Sequence, residues 1–167
     1  MYKRQINPRR LREVSRKAEV PGFVNYKKLF GKVEAASIAV PTSLHYRVAR
    51  DFLNQNIPVL VEKPFTANLS QADKLIKLAR RKKTILQVGH IERFNSAFVA
   101  CEKLIKNPRF IECHRLSPFP NRSLDVGVVL DLMIHDIDII LGLVKSRIRT
   151  VSYTHLRAHE TRHDLVC

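Results

Sequence analysis

Ala35-Ala-Ser-Ile-Ala-Val40-Pro41-Thr42, Pro58-Val-Leu-Val-Glu62-Lys63-Pro64 and Thr84-Ile-Leu-Gln-Val88-Gly89 are three short, largely apolar runs, each halted by proline or glycine. Uninterrupted runs of this length suit parallel strands covered on both faces. Between the first two, Leu44 to Gln55 places Leu44, Val48, Phe52 and Leu53 on one side of a helix. Between the second and third, Ser70-Gln-Ala-Asp73 resembles a capping box. The helix behind it carries Ala72, Leu75, Ile76 and Ala79 at i, i+3, i+4 and i+7, and ends in Arg80-Arg-Lys-Lys83. Strands joined by helical crossovers predict right-handed βαβ units in a parallel sheet, an α/β fold. Ligands of such sheets gather at the carboxyl ends of the strands. Those ends are Pro41-Thr42, Glu62-Lys63-Pro64 and Gly89-His90.

Past Phe94 the pattern changes. A helix is expected to about Lys106, a strand from Arg109 to Leu116, a polar loop rich in Pro and Arg, and a very apolar helix from Val128 to Leu143. An α/β part is therefore followed by the beginning of an α+β part. The last helix contains Asp131, His135, Asp136 and Asp138. Asp131 and His135 are i, i+4 and share a face, where the carboxylate can orient the imidazole. A polar stripe on an amphipathic helix is the plain alternative. Four ionisable groups among Leu, Ile, Val and Met are costly to bury unless they are paired or used, and this favours a site. Lys63, at the end of a buried strand, can hold a substrate oxygen or take part in proton transfer, although a surface lysine is the default for its type.

Composition sets the outer limits. The 167 residues are 45% hydrophobic, enough for a packed core, and carry 30 Lys plus Arg against 15 Asp plus Glu, a net charge of +15. The longest apolar runs are far shorter than a membrane span, and no secretory leader follows Met1. Cys101, Cys113 and Cys167 form neither a disulfide framework nor a zinc pattern, which suits a cytoplasmic protein. Cys101 and Cys113 read as buried structural thiols. The basic excess admits an anionic small substrate or, as the alternative, a nucleic-acid-binding module. The run Arg80 to Lys83 closes a helix, where cations complement the dipole, and has no interleaved aromatics, so nucleic acid is the lesser expectation.

The motifs Ala39-Val-Pro41-Thr42-Ser-Leu-His45, Val61-Glu62-Lys63-Pro64, Gln87-Val-Gly89-His90-Ile-Glu92-Arg93-Phe94-Asn95 and Asp131-x-x-x-His135-Asp136-x-Asp138 occur in one order along residues 6 to about 149. Together they resemble the Gfo/Idh/MocA family of NAD(P)-dependent oxidoreductases. The resemblance implies the second half of a Rossmann-like parallel sheet, followed by the start of an α+β substrate domain. It implies Lys63, Asp131 and His135 as the catalytic set. Pro41, Thr42, His45, Glu62, Lys63 and Pro64 are implied at the cofactor, NAD or NADP. Arg93, Asn95 and Arg122 are implied at a sugar or nucleotide-sugar substrate, such as a nucleotide-linked amino sugar or uronic acid. No metal is implied, and the whole protein is expected to be a homo-oligomer. In the implied reaction His135 takes the hydroxyl proton, Asp131 orients it, and Lys63 stabilises the developing alkoxide while hydride moves to the nicotinamide.

The departure from the family is at the pyrophosphate. Gly22, Gly31, Gly89, Gly127 and Gly142 are all isolated, so no G-x-G-x-x-G turn is present. The resemblance starts after the family's second strand, at Ile6-Asn-Pro-Arg-Arg10. The chain is therefore expected to be inactive alone.

Both ends are expected to be foreign to the fold. His159-Glu-Thr-Arg-His163 matches H-E-x-x-H, with His155 one helical turn before it, which taken literally is a zinc-protease helix. However, Val151-Ser-Tyr-Thr-His-Leu-Arg-Ala-His-Glu-Thr161 is also one translated frame of a transposase-type sequencing adapter, and Tyr2-Lys-Arg-Gln5 is the inverted end of the same element. The expected organisation is adapter read-through at 1–5 and 150–167, a partial NAD(P)-binding domain at 6–92 and the start of a substrate domain at 93–149.

Overall fold

The computed structural model describes residues 1–115, 127, 129–144 and 146–154. Its elements run β1 (Lys3–Arg4), α1 (Pro8–Lys17), β2 (Gly22–Phe23), β3 (Ala36–Ile38), α2 (Thr42–Asn54), β4 (Val59–Val61), α3 (Leu69–Lys82), β5 (Leu86–Val88), α4 (Ser96–Glu102) and α5 (Ile134–Leu143). Single helical turns cover Tyr26–Leu29 and Ile91–Phe94, and a π-turn, Val129–Met133, leads into α5. The fold is α/β and Rossmann-like. β3, β4 and β5 form a parallel sheet in that order, pairing Ser37 with Leu60 and Leu60 with Gln87. β1 and β2 form a separate parallel pair, and Tyr2 packs against the core, so residues expected to be foreign to the fold take part in it at this end.

The three expected strands are all present, each trimmed to its central residues. Val59 and Val61 are buried, as a middle strand covered on both faces requires. The expected apolar faces of the two helices meet each other and the sheet: Val48, Ala49, Phe52 and Leu53 from α2 join Leu75, Leu78 and Ala79 from α3, over Ile38, Val59 and Val61. Leu53 and Leu75 are fully buried, each stabilising the fold by about 2 kcal/mol through removal from water. Phe52 also meets Phe30 edge-on, with ring centres 5.2 Å apart, and Tyr26 donates its hydroxyl hydrogen to Asp51 at 2.9 Å. The basic run does close α3, with Arg80, Arg81 and Lys82 in its last turn and Lys83 left-handed at φ 51°.

Four expectations are corrected. The cap of α3 is Asn68, whose side chain accepts from the Gln71 amide at 3.0 Å, so the helix starts ahead of Ser70. The helix after Phe94 is α4 and stops at Glu102, short of Lys106. Residues 109–115 form no strand, because no described segment pairs with them, and Leu116 lies outside the described residues. Cys101 and Cys113 are exposed, since no described element covers α4 or the segment after it. The segment 155–167, with its three histidines, also lies outside the described residues. α1, which opens on Asn7 accepting from the Arg9 and Arg10 amides at 3.0 and 3.1 Å, was not anticipated.

Candidate active site

The carboxyl ends of β3, β4 and β5 lead into Pro41, Glu62 and Gly89, and the site grows from them. Pro41 caps α2, and Thr42 is buried in its first turn. His45, only 1% exposed, contacts two carbonyl oxygens through its ring: Nδ1 lies 2.9 Å from that of Pro64 and Nε2 2.8 Å from that of Val40. The ring therefore ties the end of β3 to the turn after β4. Both ring nitrogens thus face main-chain carbonyls of the protein. At Gly89 the backbone closes on Glu62: an added Cβ would lie 3.1 Å from a Glu62 carboxylate oxygen, and that side chain would have to shift to admit it.

Lys63 is the first residue after Glu62, and its ammonium crosses to the last helical unit. It donates to the Asp131 carboxylate at 2.7 Å and to the Asp131 carbonyl at 2.6 Å. An ammonium has three N–H donors, so this double hold leaves one. Asp131 occupies the π-turn rather than α5, and its carboxylate is spent on Lys63. The expected i, i+4 orientation of His135 by Asp131 is thereby corrected. The wider turn breaks regular helical spacing, and a cation outcompetes a neutral ring for the carboxylate.

All three carboxylates of the segment are paired. Asp131 has Lys63, Asp136 takes Arg115 through two bonds of 2.8 and 2.7 Å, and Asp138 takes Arg93 through two of 2.5 and 2.9 Å. Arg115 holds the Asp136 carboxyl below its ordinary range. His135 is the ionisable group left over. It is 8% exposed, its Nδ1 is buried with no partner among the described residues, and its ring lies edge-on to His90 with centres 6.4 Å apart. The buried Nδ1 of His90 is likewise unpartnered. Burial, and then the nearby charges of Lys63 and Arg115, push the His135 pKa below 6.5. A neutral imidazole therefore sits beside a fixed ammonium, which is the composition of a base and an oxyanion stabiliser.

Lys63 and Asp131 are paired, and His135 lies within reach of the charge of Lys63. Pro41, Thr42, Glu62 and Pro64 border the same strand ends. Arg93 is held by Asp138, and Asn95 caps α4 by accepting from the Ala97 amide at 3.0 Å, so both have structural partners. Arg122 lies outside the described residues. Sequence reasoning missed the Arg115–Asp136 clamp and the His90–His135 contact. No group of three metal-ligating side chains occurs among the described residues. No described helix is long and apolar enough to cross a membrane.

Residues 4–90 match the family described as "Oxidoreductase family, NAD-binding Rossmann fold", Gfo/Idh/MocA. The chain is 39% identical over 138 residues to UDP-N-acetylglucosamine 3-dehydrogenase of Acidithiobacillus ferrooxidans, covering 82% of this chain and 44% of that enzyme. It is 25% identical over 171 residues to inositol 2-dehydrogenase of Corynebacterium glutamicum, covering 95% and 50%. A solved structure of the A. ferrooxidans enzyme superposes with a TM-score of 0.80 at 38% identity, covering 85% of this chain and 47% of the other. The chain thus spans about half, or less, of the length of these relatives. Since the match takes in more than half of its residues, including the Lys63 turn and the Gly89 close approach, the chain belongs to the NAD-binding oxidoreductases of the Gfo/Idh/MocA family.

Proposed function

We propose that the chain carries the catalytic half of a dehydrogenase that oxidises a secondary hydroxyl of a nucleotide-linked amino sugar. The carrying observation is the Lys63–Asp131 pair, 2.7 Å long and spanning two parts of the sequence, beside the unpartnered imidazole of His135. The substrate class follows from the 39% identity to an enzyme named for UDP-N-acetylglucosamine. Residues 6–92 act as the partial cofactor domain and 93–149 as the start of the substrate domain, within a whole protein that is a homo-oligomer.

Bound nicotinamide supplies the hydride acceptor. Neutral His135 removes the hydroxyl proton. The free N–H of Lys63 holds the same oxygen and stabilises its developing charge, while Asp131 fixes the ammonium from two sides. Pro41, Thr42, Glu62 and Pro64 would hold the nicotinamide end of the cofactor, and His45 sets the distance between Val40 and Pro64. A substrate phosphate that uses Arg93 must compete with Asp138 for it.

The residues fit the nicotinamide end of the cofactor and not its pyrophosphate, because no glycine-rich turn is present. The chain alone is expected to bind NAD(H) more weakly than about 100 µM in a calorimetric titration. Micromolar affinity would overturn that expectation. The catalytic reading is tested by placing residues 6–149 in the A. ferrooxidans enzyme in place of their counterparts and following reduced nicotinamide with UDP-N-acetylglucosamine. Turnover is expected. A chimera that folds and binds NAD but oxidises no nucleotide sugar would sink the reading.

A further inference from the structure

Main-chain bonds fix His90 where β5 ends: its amide donates to Val88 O at 2.9 Å and its carbonyl accepts from the Arg93 amide at 3.3 Å. From there its half-buried ring meets the buried ring of His135, on the first turn of α5, edge-on with centres 6.4 Å apart. Three buried side-chain polar atoms have no partner among the described residues, and two of them are the Nδ1 atoms of these rings. A buried nitrogen without a partner is costly, so two in one contact point to a use.

A neutral imidazole donates at one nitrogen and accepts at the other. To work as a base through Nε2, His135 must carry its own proton on Nδ1, and an acceptor for that N–H fixes the tautomer. A carboxylate commonly plays this part beside a histidine base. Here the carboxylates of Asp131, Asp136 and Asp138 are held by Lys63, Arg115 and Arg93. Around His135 stand Lys63 from the end of β4, Arg115 from the segment after α4, and Glu92 and His90 from the turn after β5. Burial and then the two cations keep the ring neutral. The Glu92 carboxylate accepts from the Asn95 side-chain amide at 3.3 Å. The unpaired acceptor beside the ring, among the described residues, is His90.

We infer that His90 is the positioning residue of the base: its Nδ1 accepts the Nδ1–H of His135, fixes that tautomer and leaves His135 Nε2 to take the substrate proton. This rests on His135 being the base, as proposed above. The rings stand roughly 1 Å further apart than imidazoles joined nitrogen to nitrogen, and catalytic hydrogen bonds are commonly long before substrate binds. Rotation of the half-buried His90 ring about its fixed main chain closes the gap. The hydroxyl proton ends on His135 Nε2 and the Nδ1 proton stays on His135, so His90 takes no charge.

The test reads the ring nitrogens of the whole chain, isotope-labelled in histidine, by nuclear magnetic resonance at about pH 8, where the ring is neutral. His135 is expected to carry hydrogen on Nδ1 and none on Nε2, the reverse of the tautomer that free histidine prefers. His90→Asn keeps an acceptor near the place of Nδ1 and should keep that tautomer. His90→Phe keeps an edge-on ring without an acceptor, and should return His135 to mainly Nε2–H. In the chimera His90→Phe is expected to lower kcat roughly tenfold or more, with KM and NAD binding unchanged, and His90→Asn to restore most of the loss. A chimera with wild-type His90 that does not turn over would sink the catalytic reading, and the tautomer of the whole chain would still decide this one. If His90→Phe does not fold, the wild-type tautomer likewise decides. Hydrogen on His135 Nε2 in the whole chain, or a tautomer or kcat that His90→Phe leaves unchanged, overturns the inference.

Discussion

Lys63→Met in the chimera lowers turnover about a thousandfold while NAD still binds and the far-ultraviolet circular dichroism is unchanged. The side chain is nearly isosteric, so the stem still fills the space between β4 and the π-turn, and what disappears is the ammonium. Two consequences separate this from a loss of packing. Lys63→Arg keeps the charge but offers a planar fork where a compact donor stands, so it rescues little of the loss. The charge of Lys63 also holds the His135 pKa down. Removing it raises that pKa toward 6.5, and the acid limb of the residual activity moves to higher pH. A variant with the wild-type limb, or with a loss below about tenfold, would show that Lys63 does not face the reacting oxygen.

How far the sequence led differs between the halves of the site. The runs ending at Pro41, Lys63 and Gly89 were legible because burial on both faces leaves a strand no choice but continuous apolar residues, and proline and glycine mark where it stops. The resemblance named Lys63, Asp131 and His135 together. Spacing misassigned the partner of Asp131, because i, i+4 adjacency assumes a regular helix and Val129–Met133 makes a π-turn. The pairings of Arg93 with Asp138 and Arg115 with Asp136 join distant segments, and nothing local to either residue encodes them. The strand expected at Arg109 to Leu116 failed for a related reason. A strand pattern is only half of a ladder, and no described segment lies beside residues 109–115 to supply the other half.

The pairing of all three carboxylates also explains why His135 carries the next largest effect. With Asp131, Asp136 and Asp138 each neutralised by a cation, none of the segment's three aspartates is free to stabilise an imidazolium, and burial beside Lys63 and Arg115 disfavours it further. The ring stays neutral and able to accept a proton to lower pH than an ordinary histidine. In the chain itself, a nuclear magnetic resonance titration of the His135 ring is expected to give a midpoint below 6.5. The sign for stability follows: below about pH 6.5 the unfolded chain takes up this proton first, so the contribution of His135 is full above that pH and falls until the folded-state pKa is passed. In the chimera, His135→Gln should cost about a hundredfold to ten-thousandfold in turnover and abolish the acid limb that the titration locates. A midpoint at or above 6.5, or a His135→Gln variant that keeps the limb, would move the base elsewhere, and His90, edge-on to His135 with its own unpartnered Nδ1, is the group then to be tested.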